Sequence, residues 1–381
     1  MRSNLIFLVC VILLASCNKK IEDICKSELN LKLNIGADIV INNDDIIYES
    51  INTYYKNFND KKYLFRSFHR LEKIEILDWD NKTLEKNIIL PHVGPNHISN
   101  VMAGSFYPIT KDSIFLPSIS NQVGIQYKDS LIYKQTFDYD HLLFFGSDNS
   151  QKIFKYNNNI ILNSGAFFRH PAKDKLWNKY YPLKKINLED NSLEFLDIQY
   201  PTYYQNLCWN WLQMKIIYSL FDNKIIYAFG ASDEIHVFDL DKNKVVESHH
   251  CFKSKYQGRI DEPISCEATQ GMDEQKTVKN RTINYAIEYD PYRDVFYAIK
   301  ILPTSDDSRE SLEPWWNLMV PFTIMAFDSE FKLIDEVLIP EKKFNINDFF
   351  VDEKGFWISK NNSLNPEASE DKLIYTLIEL K

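Results

Sequence analysis

A hairpin returns six times along this chain, and it leaves little freedom in what the chain can become. Each copy is a short apolar strand, a turn of Asp, Asn, Lys or Gly, and a second strand rich in β-branched and aromatic residues. The turns and second strands read Asn59-Asp60-Lys61 before Tyr63-Leu64-Phe65, Lys111-Asp112 before Ile114-Phe115-Leu116, and Asn157-Asn158-Asn159 before Ile160-Ile161-Leu162. They continue as Asp222-Asn223-Lys224 before Ile225-Ile226-Tyr227, Asp290 to Asp294 before Val295-Phe296-Tyr297, and Asp352 to Gly355 before Phe356-Trp357-Ile358. A second hairpin follows each of the first five. Its strands alternate apolar and polar about an acidic or Asn turn, as in Ile74-Glu75-Ile76 with Asp80-Asn81 and Ile235-His236-Val237-Phe238 with Asp241-Lys242-Asn243. Two hairpins make four antiparallel strands, and a unit recurring at roughly 45 to 70 residues has the period of a propeller blade rather than of a helical solenoid.

The sixth copy has its first hairpin and one further strand, Ile374 to Leu380, and Glu28 to Asn34 alternates as a lone strand ahead of the first unit. An all-β, six-bladed β-propeller is therefore expected, with the N-terminal strand completing the last blade so that no edge is left unpaired. Seven blades, or a two-domain β-sandwich protein, are the other readings the pattern admits. Only 10 of 381 residues are Gly, which leaves Asn and Asp to fill turn positions that need positive φ. No stretch reads as a long amphipathic helix; Gly258 to Lys279 and Ser305 to Leu312 are the places for a helical or irregular insertion.

The first residues carry an address. Arg2 precedes an apolar run from Leu5 to Leu14, too short to span a bilayer, and Leu14-Ala15-Ser16-Cys17 resembles the bacterial lipobox. The expected organisation is a lipoprotein signal peptide over 1–16, a lipidated tether over 17–27 beginning at Cys17, and the propeller over 28–381. An ordinary signal peptide with a chance cysteine is the bland alternative. No later stretch has transmembrane length, so the lipid on Cys17 is the one membrane attachment the sequence supports. The formal net charge of −9 repels nucleic acid and anionic headgroups. Cys25, Cys208, Cys251 and Cys266 then enter an oxidising envelope, where four cysteines permit three pairings; Cys251 with Cys266 is the first expectation. No CxxC is present and the spacings fit no zinc template, so neither a metal nor any other cofactor is expected.

The lipobox, the mature length, the high Asn, Lys, Ile and Tyr content and the weak hairpin repeats together resemble the six-bladed propeller lipoproteins of unknown function encoded by Bacteroidetes. The resemblance spans the chain and rests on pattern, since these families lack a sharp motif. It implies an envelope location, outer membrane facing periplasm or surface, and a binding role, and it carries over no catalytic residue.

Blade register singles out a working face. Loops after the second and fourth strands of a blade emerge together, and here they are long: Pro91 to Ser105, Ser164 to Tyr181, Pro201 to Trp211, Lys253 to Thr282 and Leu302 to Pro321. On them, Tyr203, Tyr204, Trp209, Trp211, Trp315 and Trp316 are candidates for an aromatic platform for a sugar or peptide, against the alternative that they plug the space between blades. His97, Arg169 and His170, expected near the central shaft, are candidates for an anion, against the reading that they pin loops. His249 and His250 face opposite sides of a strand, and Asp239, Asp241, Asn243 and Glu247 mimic a calcium loop but carry Lys244 where such a loop needs Gly. No GxSxG, HExxH, GxxxxGK[ST] or GxGxxG is present. The function expected is a lipid-anchored binding or scaffold module for a protein or glycan, acting through the long-loop face; the alternative is a propeller hydrolase or lyase acting on a glycan or ester. A convergent carboxylate or His cluster in the shaft would favour the enzyme.

Overall fold

The structure, a computed structural model, describes residues 25–42, 50–68, 73–90, 94, 97–98, 105–118, 122–137, 149–164, 181–205, 207–265, 281–304, 320–362, 364–368 and 371–381. The signal peptide and Cys17 lie outside the described residues. The hairpin turns form because residues that tolerate a left-handed backbone occupy them: Asn59, Asp60, Asn157, Asn191, Asp222, Asn243 and Asp294 all have positive φ. Asp and Asn thus do the work that Gly does in most tight turns, joined here by Lys82, Lys128, Phe331 and Lys342. The calcium-like segment is such a turn, in which Asp239 Oδ1 accepts hydrogen bonds from the Asp241 and Lys242 amides.

These hairpins build six four-stranded antiparallel sheets. After a first strand β1 (Leu33–Asn42) come blade one, β2 (Ser50–Phe58), β3 (Lys61–Phe68), β4 (Lys73–Asp78) and β5 (Thr83–Ile89), and blade two, β6 (Tyr107–Pro108), β7 (Ser113–Pro117), β8 (Gln122–Tyr127) and β9 (Ser130–Thr136). Blade three is β10 (Phe154–Tyr156), β11 (Asn159–Asn163), β12 (Leu183–Asn187) and β13 (Leu193–Phe195), and blade four is β14 (Ile216–Phe221), β15 (Lys224–Phe229), β16 (Ile235–Asp239) and β17 (Lys244–His249). Blade five is β18 (Ile283–Asp290), β19 (Val295–Ile301), β20 (Phe322–Phe327) and β21 (Leu333–Ile339). Blade six, β22 (Asn345–Asp352), β23 (Gly355–Ser359) and β24 (Lys372–Leu380), takes β1 as its outermost strand. The six-bladed propeller closed by the N-terminal strand is the fold the repeats foretold.

Burial falls from axis to rim. The innermost strand β22 is buried at every position, whereas the outermost β9 alternates between exposed and half-buried. The cores lie between blades: Ile161, Tyr218 and Phe238 pack blade three on four, Tyr285, Ile346 and Phe356 pack five on six, and Ile41, Leu64, Trp79, Trp357 and Tyr375 pack six on one. Each such side chain stabilises the ring by roughly 1.5–3 kcal/mol through burial.

Two expectations about the N-terminal segment are corrected. The closing strand is Leu33–Asn42 and not Glu28 to Asn34; it pairs with β24 from Leu33↔Leu380 to Asn42↔Lys372, with one irregularity between Ile35 and Asp38. The residues before it are drawn aside by blade five. The Ser27 amide donates to the Leu333 carbonyl at 2.9 Å, the Leu333 amide donates to the Cys25 carbonyl at 2.8 Å, and the Leu33 amide donates to Asp335 at 2.9 Å. Leu29 is 48% exposed, so the apolar alternation there marks no buried face. Residues 25–31 therefore cross the rim of blade five as a strap, and Lys32 already exchanges backbone hydrogen bonds with Lys381 beyond β24. The disulfide also differs: Cys251 is bonded to Cys25, with Cα atoms 5.1 Å apart, and so cannot pair with Cys266. The strap carries Cys25 to the groove between blades four and five, where Phe252, next to Cys251, packs with Phe327 and Phe331. Cys208 is disulfide-bonded as well; Cys266 lies outside the described residues. No described helix is long and apolar enough to cross a membrane.

Candidate functional site

Strand bounds make the two ends of the ring unequal. On one end the connections within each blade are turns no longer than five residues, such as 59–60, 128–129, 222–223 and 328–332. On the other lie 90–106, 137–153, 164–182, 196–215, 250–282 and 302–321. Rigid strands holding long connections at one end is the arrangement on which binding sites are usually carried.

The described part of this long-loop face sorts the aromatic candidates. Trp209 is 1% exposed and sits with Tyr204 in the core between blades three and four, ring centroids 4.7 Å apart. Both are plugs rather than a platform, because the apolar gap between two blades is the larger sink for a wide ring. Tyr203 packs at a tilt beside them but is 38% exposed, its hydroxyl donating to the Ala231 carbonyl. Trp211 starts a short helix, Trp211–Met214, capped by Asn210 with Gln213 in a capping box. It turns the other way, half-buried against the core of blades five and six, with the Lys215 ammonium 5.7 Å from its ring. That helix needs Gly230, where an added Cβ would lie 2.1 Å from the Leu212 carbonyl oxygen. Tyr203 and Trp211 are thus the accessible members, and Trp209 parts from Trp211. Trp315, Trp316, Arg169 and His170 lie outside the described residues.

His97 is not at the shaft. Its carbonyl accepts from Lys134 of β9 at 3.0 Å and its amide donates to the Gly94 carbonyl, which places it over the rim of blade two. Elsewhere on this face Lys300 is buried and donates to the Phe252 carbonyl and to Gln257, with Asp233 at 3.6 Å. Burial pushes its ammonium down to about 8, and its bonds pin the start of the 250–282 connection.

The axis is closed by a feature the sequence did not announce. Blade three has the short inner strand β10, and the residues before it, Asn149–Gln151, form a buried 3-10 turn on the axis. From there, spokes run to four other blades. Asn149 accepts from the Thr53 amide of β2 at 3.2 Å and donates to the Phe349 carbonyl of β22, and Gln151 donates to the Ile216 carbonyl of β14. Lys152 pairs with Glu288 of β18 at 2.9 Å, and the Ile153 amide donates to the Tyr54 hydroxyl at 2.7 Å. On the turn side of this hub a cavity of about 80 Å³ remains, walled by Tyr54, Lys56, Lys152, Phe154, Glu288 and Phe350. Burial pushes the Lys152 ammonium down against the pull of Glu288, and the neighbouring Lys56 adds to the push.

A second charged group locks the seam where the chain's two ends meet. Arg66, wholly buried, donates through Nη1 to Glu75 and through Nη2 to Asp348 of β22, each at 3.1 Å. Asp348 also accepts from Thr53 and from Tyr375 of β24 at 2.7 Å, and Glu75 takes Lys73 at 3.0 Å. Burial opposes the Arg66 charge, yet the surrounding acidic groups hold its pKa above the ordinary value. Sequence reasoning missed this group. The signal was there in Arg66 set inside an apolar strand and facing Glu75 across the β3–β4 hairpin. Among the described residues no three His, Cys, Asp or Glu side chains are placed to hold a metal ion.

Comparison with known proteins agrees with this architecture. A family model described as "Domain of unknown function (DUF4221)" matches residues 30–338. A crystal structure of a member of that family from Bacteroides vulgatus is similar at 22% identity and a TM-score of 0.79, covering 93% of this chain and 99% of that one. A candidate exported protein from Bacteroides fragilis is similar at 10% identity and a TM-score of 0.53, covering 93% and 98%. At these identities the likeness is one of fold. No curated protein matches the chain.

Proposed function

The chain belongs to the DUF4221 family, a domain of unknown function, and on that premise we propose that it is a lipid-tethered binding module of the cell envelope, holding a protein or glycan partner on its long-loop face. The inequality of the two ends of the ring carries this reading: every long connection among the blades emerges on one side of a rigid scaffold. The hub closes the axis, which favours capture on the face over passage of a substrate through the shaft. Among the described residues, Asp348 on the inner strand β22 and Glu288 on the inner strand β18 are each paired with a cation, which supports a binder over a hydrolase or lyase needing free acid and base groups. The envelope address draws support from the lipobox at Cys17, from the oxidised cysteines and from the candidate exported protein of similar fold.

The face is tested by crosslinking in the native envelope. Trp211→Ala and the pair Trp315→Ala/Trp316→Ala lose the partner that the wild type captures, while Asp80→Lys and Asp129→Lys on the turn end keep it. Trp209 is left intact in this series because its burial would confuse binding with folding. Normal capture by the Trp variants, or loss of capture by folded turn variants, contradicts the reading. The tether is tested by detergent partitioning: the wild type enters the detergent phase, and Cys17→Ser stays aqueous with poor cleavage after residue 16. A wild type that remains wholly aqueous removes the anchor.

A further inference from the structure

The cavity beside the hub carries charge that its own walls do not balance. Lys152 is answered by Glu288, whose side chain is 16% exposed while that of Lys152 is 4% exposed, so the pair is largely shielded from water. Lys56 has weaker company. Its ammonium meets the Tyr107 hydroxyl at 3.4 Å and lies 4.7 Å from the Tyr107 ring and 5.9 Å from the Tyr54 ring. Among the described residues no carboxylate stands within ion-pair distance of it. Two ammonium groups therefore line a half-enclosed space whose one lining carboxylate, Glu288, is already paired with Lys152, and a charge without a counter-charge there costs free energy.

The space and its walls say what would supply the missing charge. A buried water needs about 10–15 Å³ of such volume, so about 80 Å³ holds several waters or one small organic ion. Tyr54, Phe154 and Phe350 contribute aromatic carbon to its walls, suited to a flat apolar body, and two ammonium groups are suited to the two oxygens of a carboxylate. We infer that this cavity binds a small organic acid with a flat apolar body, its carboxylate lying between Lys56 and Lys152. The site is at the opposite end from the long loops and stands or falls independently of the partner-binding face. The burial that pushes the Lys152 ammonium down is eased by a second anion, so ligand and hub stabilise one another.

Titration calorimetry on the full chain with benzoate, acetate, inorganic phosphate and benzylamine tests the assignment. Benzoate binds once per chain, acetate and phosphate about tenfold or more weaker, and benzylamine not at all. Lys56→Gln, at a half-buried wall position, folds as the wild type does and loses about tenfold or more in benzoate affinity. Glu288→Gln removes the competing carboxylate and gains about tenfold, and benzoate raises its melting temperature more than that of the wild type. Unchanged benzoate binding by Lys56→Gln overturns the site, as does benzylamine binding in place of benzoate. A wild type that takes up no benzoate shows a cavity filled by water alone. Phosphate bound as tightly as benzoate overturns the organic acid, since the aromatic walls then contribute nothing.

Discussion

Deleting Leu33–Asn42 abolishes the cooperative unfolding transition, whereas removing residues 18–24 leaves the melting temperature within a degree or two of the wild type. The strand β1 is the outer partner of β24 along nearly its whole length, so its loss bares a long edge of unpaired backbone groups. It also takes away Leu33, which packs on the core of blades five and six, and the fully buried Ile41, which packs with Trp79 and Trp357 between blades six and one. At roughly 1.5–3 kcal/mol for each buried aliphatic and about 1 kcal/mol for each ladder hydrogen bond, the sum rivals the whole stability of an ordinary domain, about 5–15 kcal/mol. Calorimetry of the two truncations decides it; similar melting of both would mean that the ring does not depend on this closure.

Arg66→Met destabilises the protein by about 3–5 kcal/mol, the loss that follows when one partner of a buried charge pair is removed and the other is left behind. Its target is specific. Glu75 retains Lys73, but among the described residues Asp348 keeps only the hydroxyls of Thr53 and Tyr375 as donors. Replacing the orphaned acid as well, in Arg66→Met/Asp348→Asn, recovers at least half of the loss, because an amide accepts the same hydroxyl bonds without the buried charge. Urea midpoints of the two single variants and the double variant measure this coupling. An additive double variant would show that Arg66 acts by packing on Phe68 and not by its charge.

The blades were legible because a strand half-buried in a ring has a period of two and because its turns need special backbone angles. Asp222-Asn223 and Asn157-Asn158 declare both at once. The hub was not legible. Asn149, Ser150 and Gln151 are small polar residues of the kind that fill solvated loops, and only the shortness of β10, a tertiary fact, turns them onto the axis. Lys152 and Glu288 are brought together from different blades, a juxtaposition no local pattern encodes. The aromatic candidates divided for a related reason: Trp209 and Trp211 are two residues apart, yet the chain enters a helix at Trp211, and one ring goes into the groove of blades three and four and the other toward five and six. The closing strand was misplaced by several residues because Leu29 and Leu31 continue the alternation of Leu33 while Leu29 is spent on the rim.

The strap and its disulfide set the path by which a pull on the chain's beginning reaches the ring. Strand β1 pairs with β24 in a ladder that would open one rung at a time if drawn from Leu33, the weakest direction in which a sheet can be loaded. Traction applied ahead of Cys25 does not arrive there. It passes through the Cys25–Cys251 bond into the groove of blades four and five, across a covalent loop of 226 residues in sequence separation, and the strap downstream stays slack. The blade that seals the circle is mechanically insulated by a rivet placed on another blade, and a reductant that opens the rivet transfers the load to the seal.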